Sequence, residues 1–355
     1  MNAISLCMIV KDEEANLDQC LRRIAIFMDE IIIVDTGSSD RTKEIAYRYT
    51  DKVYDFQWID DFAAARNYSI SKAKNEYILV VDSDEFADNI NIAEIKILLA
   101  DNPNKIGRLL RINEFTRKGI SYKYNERVNR LFSKKYYHYE GIIHEQVKPD
   151  IQVVDQTEND TYLIPLTIRH SGYEGDLDTR RKKIDRNTNL LKIALEQHPE
   201  DPYILYQLGK SYYMEEDYKN ASEYFGRALY YDLDPCLEYV QDMVESYGYS
   251  LLNSGQYEAA LQMLNIYEEF SHSADFIFMI ALIYMNNGMF QQAIDEFLKA
   301  TKKSECKMVG VNDYLALYNI GVIYECQGEK ERAKRYYMKC GNYDLALERM
   351  KEISR

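Results

Sequence analysis

The sequence predicts an α/β domain with a mostly parallel, Rossmann-like sheet, followed by an all-α domain of helical repeats. Three observations point there. Short apolar runs alternate with helix-spaced stretches through the first 175 residues. Small residues recur at 209, 248, 281 and 321, each inside the same frame of large and aromatic positions. The chain has 355 residues, more than one hydrophobic core usually organises. The division expected is an α/β domain over 1–175, a connecting helix over 176–200 and a repeat domain over 201–355.

Ile4–Val10 is a continuous apolar run, the pattern of a strand buried on both faces. Glu13–Met28 places Leu17, Leu21, Ile24 and Met28 at helical spacing. Ile31–Val34 is a second buried strand, and Asp35–Asp40 is a turn cluster. Thr42–Tyr49 reads as helix, Lys52–Phe56 as a short strand, Phe62–Ala73 as helix, and Tyr77–Val81 as a fourth strand. In such sheets ligands sit at the carboxyl ends of the strands. Polar clusters stand at three of those ends: Lys11–Glu13, Asp35–Asp40 and Asp82–Glu85.

From residue 205 the frame of Leu205, Leu208, Gly209, Tyr212, Ala221, Phe225 and Ala228 fits the tetratricopeptide pattern of paired helices. It returns around Gly248, Ala281 and Gly321. Spacings of 39, 33 and 40 between the small residues, against an ideal of about 34, imply extra residues near Pro235 and near 306–311. Small residues let the helices of a pair approach, and aromatic side chains fill the gaps. The 32 tyrosines are read mainly as this packing.

Composition excludes several classes. The chain carries 44 basic and 58 acidic residues, a net charge of −14, with −8 of it from Asp176 onward. Neither half is basic, which argues against phosphate-backbone binding to nucleic acid. Lys11, Asp12, Glu13 and Glu14 interrupt the first apolar run before it reaches signal-peptide length, and no apolar run approaches the ~18–20 residues of a membrane span. The six cysteines form no Cys-x-x-Cys pair. A cytoplasmic protein with free thiols is the expectation.

Asp82-x-Asp84 after an apolar strand puts two carboxylates where a hard cation would sit beside a diphosphate. Taken alone, an acidic turn capping the next helix is an equal reading. Asp35 at the end of the neighbouring strand favours a ligand, because such a carboxylate accepts hydrogen bonds from a ribose or a base.

Four ordered segments carry a family resemblance: Met8-Ile9-Val10-Lys11-Asp12-Glu13, Val34 through Thr42, Phe62-Ala63-Ala64-Ala65-Arg66-Asn67, and Asp82-Ser83-Asp84-Glu85. Over about residues 3–172 the chain resembles the family 2 glycosyltransferases. That resemblance implies the GT-A fold, a nucleotide-diphosphate sugar donor (UDP-glucose or UDP-N-acetylglucosamine), an Mn²⁺ or Mg²⁺ ion and inversion at the anomeric carbon. With the repeats behind it, the arrangement resembles bacterial peptide glycosyltransferases of the sublancin type. It also resembles enzymes of spore and envelope polysaccharide assembly.

Carried over residue by residue, the resemblance implies that Val10 and Glu13 line the nucleobase pocket and that Asp35 contacts uracil or ribose. Arg66 matches the donor-side arginine, Asp82 faces the ribose or sugar with Ser83 beside it, and Asp84 holds the metal. Asp12 departs from the Asn common at its place. Arg127-Val128-Asn129-Arg130 is a strand whose two arginines need not share a face; Arg66, Arg130 and Arg127 are the expected source of local positive charge. The segment Tyr139 to Glu145 matches the G-x-x-H-E pattern of this branch of the family. An inverting transfer needs a base to take the acceptor proton; Glu145 is the first candidate and Glu140 the second, the bland alternative being a surface carboxylate or an ion-pair partner for Arg130. His144 is read as a phosphate contact or a partner orienting Glu145. His170, ending the last strand, completes the metal shell with Asp84, and an imidazole suits Mn²⁺ better than Mg²⁺. Trp58, the one tryptophan, either stacks on the sugar or packs under the donor loop.

The resulting expectation is an inverting transfer of a sugar to Ser, Thr or Cys of a peptide or protein, the repeats holding the acceptor or a second copy of the chain. The alternatives are a glycan acceptor and a non-catalytic repeat scaffold.

Overall fold

The computed structural model describes residues 2–117, 120–150, 160–170 and 177–353. The chain divides into two compact units, Met1–Lys183 and Ile184–Arg355.

The first unit runs β1 (Ile4–Val10), α1 (Leu17–Ile24), β2 (Glu30–Asp35), α2 (Thr42–Ala46), β3 (Val53–Asp55), α3 (Phe62–Lys72), β4 (Tyr77–Val80), β5 (Glu85–Ile90), α4 (Ile92–Asp101), β6 (Ile106–Arg117), β7 (Ile120–Ser133), β8 (Tyr137–Glu140), β9 (Gln146–Pro149) and β10 (Thr161–His170). Eight strands form one sheet in the order β3-β2-β1-β4-β7-β6-β10-β5, and β8-β9 form a separate hairpin. β3, β2, β1 and β4 are mutually parallel, as are β6 and β10; β7 runs antiparallel to β4 and β6, and β5 to β10.

The apolar run of β1 serves two cores at once. Ile4, Leu6, Met8 and Val10 pack with Leu17, Leu21 and Ile24 of α1, whereas Cys7 packs on the other face with Ala63 and Ile70 of α3. Alternation of side chains across a strand favours apolar residues at nearly every position when both faces are covered; the exception, buried Ser5, donates its hydroxyl to Glu30 Oε2. Helix α1 is shorter than its periodicity predicts. The residues before Leu17 form a loop, in which the Glu13 backbone N–H donates to Thr42 Oγ1 at the start of α2 at 2.7 Å. The register sets Val10 beside Asp35 and Cys7 beside Val80, so the ends of β1, β2 and β4 open onto one edge.

The second unit follows the long helix α5 (Leu177–Gln197) with α6 (Pro202–Met214), α7 (Tyr218–Ala228), α8 (Glu238–Asn253), α9 (Tyr257–Ala260), α10 (Tyr267–Phe270), α11 (Ala274–Asn286), α12 (Phe290–Ala300), α13 (Tyr314–Cys326), α14 (Lys330–Lys339) and α15 (Asp344–Ile353). A 3₁₀ stretch, Leu261–Ile266, joins α9 to α10, so the second helix of the second repeat is broken. Asp201 caps α6, its carboxylate accepting from the Tyr203 and Ile204 backbone N–H groups, with Pro202 in the first turn. Phe225, Phe297 and Tyr337 are fully buried opposite the small residues, so the aromatic excess here is packing.

The extra residues of the third junction, 303–313, fold back on the array. Backbone N–H groups of Lys307 and Met308 both donate to the Asp275 carboxylate at 2.8 Å. The Lys307 ammonium points to Glu245 at 3.7 Å, and Asp242 accepts from Lys210 (2.8 Å) and the Tyr206 hydroxyl (2.6 Å). A buried polar network thus links α6, α8, α11 and the inserted turn.

Candidate functional site

At the end of β2, Asp35 turns its carboxylate back on the chain. Its Oδ1 accepts from the N–H groups of Gly37 (3.0 Å) and Ser38 (2.9 Å). Gly37 has φ +106°, a left-handed conformation that glycine adopts without strain. Asp35 is 2% exposed, and its Oδ2 is buried with no hydrogen-bond partner among the described residues. A buried carboxylate oxygen left unpaired costs free energy unless a ligand satisfies it.

The loop after β1 closes over this turn. Asp12, at φ +53°, accepts through Oδ1 from the Ser39 N–H (2.7 Å) and hydroxyl (3.1 Å), and its own N–H donates to Ser38 Oγ. The side chain at this departure from the family pattern therefore ties the two loops together. Buried Val10 supplies its carbonyl to Thr36, through N–H and hydroxyl, and Glu13 Oε2 accepts from Asn16.

At the end of β4 the charges alternate along a continuous chain. Arg66 donates through Nε to Glu145 and through Nη2 to Asp82 Oδ1 at 2.9 Å. Arg130 donates to Asp82 Oδ2 (2.9 Å) and to Glu85 Oε1 (2.8 Å). Arg111 donates to Glu85 Oε1 (3.0 Å) and to Glu126 Oε1 (2.9 Å). Burial by itself would raise the Asp82 carboxyl, but the Arg66 and Arg130 charges overcome it and hold it far below the ordinary range. Burial likewise works against the charge on Arg66, Arg111 and Arg130, and the carboxylates facing them reverse the effect. Tyr139 lies under the Arg66 guanidinium, 5.5 Å from ring centroid to carbon, and burial pushes its hydroxyl up to about 12. Arg66 Nη1 and the Tyr139 hydroxyl are buried with no hydrogen-bond partner among the described residues.

Asp84 and His170 meet at the same edge. His170 Nε2 is 3.5 Å from Asp84 Oδ2, and each side chain is 18% exposed. Two ligands about 2.1 Å from one octahedral ion stand about 3 Å apart, so the pair fits a shared divalent cation, with the mixed oxygen and nitrogen donors favouring Mn²⁺ over Mg²⁺. A bound ion there places positive charge against a diphosphate. Among the described residues no group of three or more metal-ligating side chains occurs, because Asp82 and Glu85 are taken by arginines. A cavity of about 390 Å³, lined by Gln19, Arg23, Phe86, Glu114, Arg169 and His170, opens beside the pair. A wider cleft, about 550 Å³ and lined by Lys74, Glu76 and Lys134, lies at the opposite end of β4.

The structure thus gathers Asp82, Arg66, Arg130 and Glu145, and pairs Asp84 with His170. Arg127 is exposed, on the other face of β7 from buried Arg130, as their odd spacing implies. The expected surplus of positive charge from Arg66 and Arg130 is offset: both are matched by carboxylates. Glu140 ends β8 with an exposed side chain bonded to His138 at 2.9 Å, outside the arginine network. His144 stands at φ +50° after Gly141 at φ +100°, in the turn that brings Glu145 to Arg66. Ser83 is buried. Trp58 packs edge-on against Phe62 (4.8 Å) and donates to Asp60 at 2.8 Å.

Arg111, Asn113 and Glu126 escaped sequence reasoning, and Glu85 was placed in the sheet-end cluster without a role. Their signal is faint: Arg111 and Asn113 alternate on one face of β6, and the β6–β7 register sets Arg111 opposite Glu126.

Comparison with known proteins bears on the two parts of the chain. Residues 5–146 match glycosyl transferase family 2, and 202–235, 274–302 and 314–346 match the tetratricopeptide repeat. A TPR repeat-containing protein of Synechococcus elongatus is 34% identical over 234 residues, spanning 64% of this chain and 57% of that one. The prophage-derived glycosyltransferase SunS of Bacillus subtilis is 27% identical over 239 residues, 64% of this chain and 53% of its own. An uncharacterized glycosyltransferase of Rickettsia bellii is 29% identical over 139 residues, 38% and 47%. The matches thus span about half the length of these curated relatives. No helix among the described residues is long and apolar enough to cross a membrane. The chain carries a family 2 glycosyltransferase domain followed by tetratricopeptide repeats.

Proposed function

We propose that the chain is a metal-dependent inverting glycosyltransferase that moves a sugar from a nucleotide-diphosphate donor to a Ser, Thr or Cys side chain of a peptide or protein. The observation that carries this reading is the Asp84–His170 pair, a two-donor site at the same sheet edge as the unpaired Asp35 Oδ2. Asp35 Oδ2 accepts from the ribose or uracil of a UDP-sugar. Arg66 Nη1, a buried donor with no partner among the described residues, supplies a hydrogen bond to an oxygen of the nucleotide-sugar. Asp84 and His170 would hold an Mn²⁺ or Mg²⁺ ion, which would supply positive charge to offset the diphosphate.

In the transfer, the acceptor oxygen or sulfur bonds to the anomeric carbon from the face opposite the diphosphate. The carbon–oxygen bond to phosphate breaks, and its electron pair leaves with the diphosphate. Glu145 takes the acceptor proton, its carboxylate oriented by Arg66. Similarity to SunS, named a glycosyltransferase, and the repeats behind the domain favour a peptide or protein acceptor.

The test is donor-dependent release of nucleoside diphosphate across a panel of UDP-sugars, with Asp84→Ala as control. Release by the native chain and its loss in the variant support the reading. No hydrolysis, transfer or binding with any donor overturns it. Mass spectrometry of a peptide incubated with the chain and donor then reads the acceptor.

A further inference from the structure

We propose that Asn67 is a positioning residue for the transfer: its amide stands in for a neighbouring strand along Tyr139 and so fixes the turn that sets Glu145 against Arg66. This rests on the reading of Glu145 as the base that takes the acceptor proton.

Glu145 lies in the connection of the β8–β9 hairpin, directly before Gln146, which pairs with Glu140. That hairpin shares no ladder with the eight-stranded sheet. A two-stranded hairpin alone is marginally stable in water, so other contacts must set its place beside the sheet. The Tyr139 backbone N–H donates to Asn67 Oδ1 at 2.9 Å, and the Tyr139 C=O accepts from Asn67 Nδ2 at 2.8 Å. These backbone groups fix which end of the amide is which, since an N–H only donates and a C=O only accepts. Two such bonds to one residue are what an adjacent antiparallel strand would supply. Tyr139 is only 4% exposed, so water is a poor substitute at either group.

Helix α3 grips this segment at three points. Asn67 holds Tyr139, the Phe62 N–H at the start of the helix donates to the Ile142 C=O at 2.9 Å, and Arg66 donates to the Glu145 carboxylate. Between Tyr139 and Glu145 the chain turns sharply, with Gly141 at φ +100° and His144 at φ +50°. A Cβ on Gly141 would stand 3.5 Å from the Glu145 Cα, so the turn brings its two ends into contact. A turn this tight has little slack, and a shift of Tyr139 is passed on to Glu145. The same anchor keeps the Tyr139 ring under the Arg66 guanidinium, 5.5 Å from centroid to carbon. The Asn67 amide is spent on the Tyr139 backbone, so Asn67 acts on the transfer through Glu145. Misplacing a reacting group by about 1 Å can cost on the order of 100-fold in rate.

The test compares the native full chain with Asn67→Ala and Glu145→Gln, using the UDP-sugar that the donor panel selects. Turnover of Asn67→Ala is expected to fall about 10- to 100-fold, with native stoichiometry and affinity for UDP in calorimetry. Amide exchange over 139–146, read by mass spectrometry, is expected to be roughly 5-fold faster than in the native chain, the change for losing one hydrogen bond. Exchange over 4–10 and 77–80, in β1 and β4, is expected to stay native. A merely structural role lowers turnover and UDP stoichiometry together, and that result overturns the proposal. Native turnover or native exchange in Asn67→Ala, with turnover lost in Glu145→Gln, overturns it as well and leaves the base reading standing. If Asn67→Ala does not fold, Asn67→Asp decides, because an ionised carboxylate accepts from the Tyr139 N–H but has no proton for the C=O. Slower turnover of that variant with native UDP binding supports the proposal, and native turnover overturns it. Native turnover in Glu145→Gln, or no turnover of any UDP-sugar by the native chain, overturns the base reading, while exchange over 139–146 still decides whether Asn67 holds the turn.

Discussion

Arg66 Nη2 lies 2.9 Å from Asp82 Oδ1, joining the middle of α3 to the end of β4. The same guanidinium holds Glu145, so one buried cation pairs with two carboxylates from distant parts of the chain, and Arg130 shares Asp82. Replacing it by Met leaves both acids short of a partner in a water-poor site. Removing one member of a buried ion pair costs about 3–5 kcal/mol. Arg66→Met is expected to lower stability by that order in urea denaturation. Arg66→Lys is expected to fall between, since an ammonium lacks the planar fork that bridges two acids. Native-like stability in Arg66→Met would show that the network does not support the fold.

Asp35→Asn separates the two oxygens of that carboxylate. The amide oxygen can still accept from Gly37 and Ser38, so the turn is expected to survive. The other position becomes a donor where the native Oδ2 is an unpaired acceptor. Hydrogen bonds to charged groups contribute about 1.5–3 kcal/mol. UDP affinity by calorimetry is expected to fall roughly 10- to 100-fold, with an unchanged melting temperature. Unchanged affinity would remove Asp35 from the donor site.

Two glycines of the repeats test how aromatic and flexible neighbours differ. A Cβ on Gly209 would lie 2.5 Å from the ring of Phe225, which is fully buried. A Cβ on Gly248 would meet the Met279 thioether. A rigid ring cannot retreat, whereas a methionine has three torsions to adjust. Gly209→Ala is expected to destabilise by about 1–3 kcal/mol, and Gly248→Ala by less. The reverse order in chemical denaturation would count against this packing account.

The buried carboxyl of Glu245 gives the repeats a pH dependence. Burial, helped by Asp275 and Asp242, pushes it up to about 7, against the opposing pull of Lys307 and Ser273. A carboxyl whose folded value is raised binds its proton more tightly in the folded chain. Its stabilising contribution is therefore present below the ordinary value near 4.5 and is lost as pH rises through about 7. Asp242 behaves oppositely: burial raises it, but Lys210 and Lys307 bring it to about 2, so its contribution is lost only in acid. Glu245→Gln is expected to melt like the native chain at pH 5 and at least about 2 °C higher at pH 8. Equal melting temperatures at both values would contradict this.

How far the chain could be read from its residues depended on how locally each feature is encoded. The runs Ile4–Val10 and Tyr77–Val80 mark strands because covering both faces requires apolar residues throughout. The polar residues after them fall at the sheet edge as a matter of connectivity, which made Asp35, Asp82 and Asp84 legible. Repeat spacing was also local, since Gly209 and Phe225 belong to one helix pair. The break in the second repeat at Leu261–Ile266 was not legible, and the sequence around it offers no physical reason for it.

The partners at the site were settled by tertiary structure alone. Glu145 reaches Arg66 across 79 residues, and His170 reaches Asn113 across 57. In the sequence Arg66, Glu145 and His170 stand out through the family resemblance and Asn113 not at all, and none of them announces its partner. Strand order and register decide which of them meet, and those are set by how the whole sheet buries its apolar faces. The chain by itself therefore determined the two domains and the edge where chemistry gathers. The fold decided that Asp82 is held by two arginines while Asp84 faces an imidazole, because only pairing between distant strands assigns each charge its neighbour.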